Sequence, residues 1–105
     1  MAEAILVKGG YSDSNTKTLL FENKIVAISD WNDDTEYSEY PYKATISCQG
    51  VTENHSPEVV FSMNDATSGN FAPICDSAQN VVYIWAIKKP ESEITIPIIR
   101  ATLVV

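Results

Sequence analysis

Cationic residues, sulfur and long apolar runs are all scarce in this chain. Seven Lys and Arg stand against fourteen Asp and Glu, for a net charge of −7, and no Lys or Arg occurs between Lys43 and Lys88. Proteins that hold nucleic acid displace counterions from its phosphates with cationic surface, and anionic membranes attract the same kind of face. Neither nucleic acid nor a membrane is an expected partner. The two cysteines, Cys48 and Cys75, have no Cys or His neighbour at metal-ligand spacing, and the single His55 lies in a polar turn, so no metal and no cofactor is expected. The thiols read as partly buried and free, with a disulfide between them left open. The opening apolar run, Ala4 to Val7 before Lys8, is far too short for a signal-peptide core, and no run approaches the roughly 18 residues of a membrane span.

Catalytic patterns are missing as well. There is no Gly-x-Ser-x-Gly, no Walker-type glycine loop, and no nucleophile motif beside His55; carboxylate pairs alone arise by chance on an acidic surface. The expectation is a protein that is not an enzyme. Asn54-His55-Ser56 fits the glycosylation pattern formally, but Pro57 and the missing signal peptide argue against its use.

What is present is the grammar of a small all-β module. The 105 residues are 45% hydrophobic and 20% charged, an ordinary globular composition. One domain of this size buries roughly two thirds of its unfolded surface. Ile5 to Val7 is a short strand-like run, stopped by Gly9-Gly10 and the polar segment Tyr11 to Thr16. Thr18 to Phe21 and Lys24 to Ile28 read as two runs around Glu22-Asn23, a hairpin by pattern, although Leu19-Leu20-Phe21 also suits a helical turn. Ala44, Ile46 and Cys48 alternate with Thr45 and Ser47, and Asn54 to Pro57 makes a turn feeding a strand over Glu58 to Met63. Asn64 to Asn70 is a loop by composition, and Phe71 to Cys75 suits either a short strand or a short helix.

Val81 to Ile87 is apolar on both faces, which predicts a central strand or one that faces a second subunit. Ile94-Thr95-Ile96 alternates again, and Pro97 is expected to place that strand at an edge or a bulge. About seven to eight short strands with regular turns predict a β-sandwich, immunoglobulin-like or jelly-roll-like.

Asp30 to Tyr42 differs in kind, with five acids, no base, and Trp31, Tyr37, Tyr40 and Tyr42 interspersed. Asp30, Asn32, Asp34 and Glu36 resemble the start of a calcium loop, but Thr35 stands where the turn glycine belongs and Pro41 where the bidentate glutamate belongs. Aromatic faces beside carboxylate acceptors also suit the C–H faces and hydroxyls of a glycan. Trp31, at a strand end, is expected to plug the core; Tyr37 and Tyr40, with Asp33, Asp34 and Glu36, are the candidate ligand-binding residues.

From Trp31 onward the order of elements resembles a C-terminal module of tail-fibre and related small structural proteins of phages and prophages of gram-positive bacteria. The carrying residues are Trp31, the polar loop, Pro41 to Ile46, Gly50-Val51-Thr52, Ser56 to Val60, Val82 to Ala86, Lys89-Pro90 and Ile94 to Ile98. The opening Ala4 to Gly10 is similar to the start of such proteins. The acidic loop is longer than in that pattern, and the segment before the module is too short for a fibre shaft. The resemblance implies a docking strand and tether over residues 1–23 and a sandwich module over residues 24–105. It also implies a non-enzymatic virion protein: a tail-fibre, tail-tip or capsid appendage, made in the bacterial cytoplasm, contacting other virion proteins and a host cell-wall glycan. The two-faced run Val81 to Ile87 and the uncharged ending Leu103 to Val105 point to a homo-oligomer, and fibre symmetry favours a trimer. The alternative is a stand-alone bacterial carbohydrate- or calcium-binding sandwich.

Overall fold

The computed structural model describes residues 18–104, in which seven strands form two antiparallel sheets. One sheet runs β1 (Thr18–Val26), β7 (Ile94–Leu103), β4 (His55–Val60) in spatial order. The other runs β2 (Trp31–Asp33), β3 (Tyr42–Ser47), β6 (Val81–Ala86), β5 (Phe71–Ala78). A 3-10 turn (Ile28–Asp30) precedes β2, and a single-turn helix α1 (Met63–Thr67) links β4 to β5. This is the all-β sandwich that the strand pattern predicts. No helix among the described residues is long and apolar enough to cross a membrane.

Period-two alternation places the core. Ala44 and Ile46 of β3 are buried and sit opposite Ile84 and Val82 of β6, while Thr45 and Ser47 are exposed. The facing sheet supplies Val26, Ile96, Ile99 and Ala101, and Trp31, Cys48 and Val51 complete one continuous cluster. Each fully buried side chain of Val or Ile size stabilises the fold by about 1.5–3 kcal/mol. β6 lies between β3 and β5, so the two-faced apolar run is a central strand of its sheet.

The β1–β7 ladder departs from the sequence reading. Thr18–Val26 is one strand, not a hairpin, and it crosses the 23/24 boundary; the expected docking strand Ile5 to Val7 lies outside the described residues. Asn23, which reads as a turn, takes φ 54° within the strand, directly opposite Pro97, and pairing resumes beyond it in the same register. Asn tolerates this left-handed conformation better than most residues. The inward parity changes at the same point on both strands. Leu19 and Phe21 pair with Ala101 and Ile99, whereas beyond the kink Lys24 and Val26 pair with Ile96 and Ile94. β7 is the middle strand of its sheet, which corrects the edge placement inferred from Pro97. A proline is tolerated there because β4 pairs only as far as Ile98, so Pro97 has no β4 residue beside it.

Two shorter corrections follow from local chemistry. β4 starts at His55 and includes Pro57, since β4 is an edge strand with one partner, β7. The segment Asn64 to Asn70 is half helical, because the Ser62 hydroxyl accepts the Asp65 N–H at 3.3 Å and caps α1. Phe71–Ala78 is a strand.

Polar bonds close the sandwich beside β4 and β5. The Ser77 hydroxyl lies 2.9 Å from the Thr52 carbonyl and 3.0 Å from that of His55, and the Cys75 thiol donates to the Pro57 carbonyl at 3.3 Å. Cys48 and Cys75 are both free, and burial raises the pKa of each thiol.

Candidate functional site

The outer face of β6 carries Val81, Tyr83 and Trp85, because Val82, Ile84 and Ala86 take the inward positions. On an uncovered sheet Trp85 would be open to water. It is 1% exposed. Its cover is the loop between β2 and β3, residues 34–41, which folds back over the sheet.

Three bonds shape that loop. The Asp34 N–H donates to the Pro41 carbonyl at 2.8 Å and closes its base; the Tyr40 N–H donates to the Tyr37 carbonyl at 3.0 Å; and the Glu36 N–H donates to Asp34 Oδ2 at 3.1 Å. The same carboxylate oxygen accepts the Trp85 indole N–H at 3.1 Å. This indole bond, offset in part by burial, holds the Asp34 carboxyl below its ordinary pKa, with help from the Glu36 N–H and Lys43. Tyr37 meets Trp85 at 5.1 Å between centroids with ring planes 87° apart. Lys43 lies opposite Trp85 in the β3–β6 ladder; its Nζ sits 4.0 Å from the Tyr83 centroid, 5.3 Å from that of Trp85 and 3.8 Å from a Glu36 oxygen.

Beyond this roof the loop forms one wall of a surface cleft of about 450 Å³. Glu36, Tyr37, Ser38, Glu39 and Tyr40 face Pro73 and Ile74 across it. The opposite wall exists because β5 is irregular. Phe71 pairs with Ala86 and Cys75 with Ile84, so four steps on β5 span two on β6, and the slack pushes Pro73 and Ile74 outward.

The candidate residues therefore divide. Tyr37, Tyr40 and Glu36 come together in the cleft. Asp34 is turned beneath the loop to Trp85, and Asp33 is exposed at the end of β2, outside the cleft lining. Trp31 is 2% exposed in the core, 6.0 Å from the Phe71 ring, as its strand-end position predicts. The carboxylates that resemble a calcium loop diverge: Asp30 accepts the Ala27 N–H at 2.9 Å, Asp34 serves Trp85, and Glu36 reaches Lys43. Among the described residues no three carboxylate, His or Cys side chains converge on a point.

Sequence reasoning missed Glu39, Pro73, Ile74, Lys43 and Trp85. The parity of Val81, Tyr83 and Trp85 signals that a second face needs cover, but no local pattern says that the cover comes from residues about fifty positions upstream. No protein-family model matches the chain, and no curated protein or solved structure matches it.

Proposed function

We propose that the chain is a non-enzymatic structural protein of a phage or prophage virion, a compact tail-fibre, tail-tip or capsid-appendage module that touches a host surface polymer through the cleft between the acidic loop and the β5 bulge. The phage assignment rests on the motif resemblance. The observation that carries the binding role is the cleft itself: two tyrosines and two glutamates on a loop pinned to a rigid sheet, opposite an apolar wall. Such a surface offers ring faces for sugar C–H groups and acceptors for hydroxyls. The only histidine is engaged structurally, its Nδ1 accepting the Thr52 N–H at 2.9 Å.

The module acts as a homo-oligomer, with a trimer favoured, because weak contacts to a repeating polymer gain strength through avidity. The loop covers Trp85 and so takes that end of the outer face of β6 out of the self-contact. Leu20 and Val60 on the other sheet remain exposed for it. Adsorption to purified gram-positive cell walls tests the reading: Tyr40→Ala reduces adsorption while its denaturation midpoint stays within error of wild type. Equal adsorption by the variant and wild type would sink it. The stand-alone bacterial carbohydrate-binding reading uses the same cleft and is separated by gene neighbourhood, tail and lysis genes favouring the virion. Its calcium version has less support, since the carboxylates diverge.

A further inference from the structure

Resting on that reading of the cleft, we propose that its ligand is a cationic sugar, a polymer unit bearing a free protonated amine, and not a phosphate- or carboxylate-rich one. The lining holds Glu36 and Glu39 and no base. Lys43, which pairs with Glu36 at 3.8 Å, is drawn away over the Tyr83 and Trp85 rings. That leaves Glu39 as the lining carboxylate with no cation partner among the described residues. A polyanionic polymer approaching here meets like charge from the lining and from a chain of net charge −7. A protonated amine meets the opposite: the Glu39 carboxylate, unpaired among the described residues, with the Lys43-paired Glu36 and the Tyr37 and Tyr40 rings lining the same cleft. Carboxylate with aromatic rings is the combination that recognises ammonium groups. Pro73 and Ile74 supply the apolar wall against which the ring carbons of the same sugar lie. The cleft volume of about 450 Å³ falls within the range of small-ligand sites.

Calorimetric titration at pH 6 with a glucosamine tetramer and with its fully N-acetylated counterpart tests this, using wild type, Glu39→Gln, Tyr40→Ala and the distant acidic variant Glu53→Gln. Acetylation removes the charge and keeps the sugar ring. The glucosamine tetramer binds about tenfold tighter than the acetylated one. Glu39→Gln abolishes most of that preference and keeps the weak binding of the acetylated form, Tyr40→Ala weakens both, and Glu53→Gln changes neither. Equal or tighter binding of the acetylated tetramer would overturn the charge inference and leave the polymer-binding reading standing. A glucosamine affinity lowered as much by Glu53→Gln as by Glu39→Gln would show diffuse attraction to an acidic surface and overturn the site. No binding of either tetramer would overturn the inference too, and cell-wall adsorption then judges the broader reading separately.

Discussion

The two tryptophans are almost equally hidden, at 2% and 1% exposure, and they are hidden by opposite means. Trp31 lies between the sheets, in the apolar cluster with Ala44, Ile84 and Ile96, and its indole N–H has no hydrogen-bond partner. Trp85 projects from the outer face of β6, where the loop 34–41 shields it with Lys43 and Tyr83 alongside, and its indole N–H is bound by Asp34. Burial in the core comes from sheet packing and tolerates an unmatched donor at a cost. Burial under a loop comes from specific bonds, and the loop is ordered in return. The acidic segment is thus tethered to the sandwich by the residue it covers, which fixes Tyr37, Tyr40 and Glu36 as one wall of the cleft.

The comparison predicts a hierarchy. Trp31→Ala gives the largest loss, about 3 to 5 kcal/mol of unfolding free energy in urea titrations, as expected for a large core truncation. Trp85→Ala costs less, about 2 to 3 kcal/mol, since the released loop rehydrates and leaves no sealed cavity. A Trp85→Ala loss equal to or above that of Trp31→Ala would erase the distinction between the two sites. Tyr37→Ala follows at about 1 kcal/mol, the loss of one edge-to-face ring contact, with a red shift of Trp85 emission.

Acid gives the smallest effect and the clearest sign. Because Asp34 has a lowered pKa in the fold, its contribution to holding the loop is complete above the ordinary carboxylate range and is lost as pH falls through the lowered value. In Trp31→Phe protein the Trp85 emission is therefore flat between pH 8 and 5 and shifts only below about pH 4. A transition near neutrality would mean that some other group holds the roof.

The difference between the two sites is also the difference between what a sequence reader sees and misses. Trp31 precedes a polar loop at a strand end, and the Ala44-Ile46-Cys48 alternation marks the sheet it packs under; both signals are local. The cover of Trp85 joins residues far apart in the chain, and Asp34 reads locally as one carboxylate among five. The same limit applies to Asn23 and Pro97. Each alone signals a break, yet opposite each other they make one shared kink in a continuous ladder, which only the pairing reveals. The bulge that presents Pro73 and Ile74 likewise depends on how β5 registers against β6.

The central claim is that the acidic loop is a fixed roof on the sheet, and collisional quenching measures it most directly. In Trp31→Phe protein, Trp85 is the sole indole, and acrylamide should scarcely quench it at neutral pH. Adding Asp34→Ala and Tyr37→Ala together should raise the quenching constant severalfold while far-ultraviolet circular dichroism stays that of a folded β protein. Ready quenching of Trp85 before the loop is altered, or no change after both substitutions, would contradict the account.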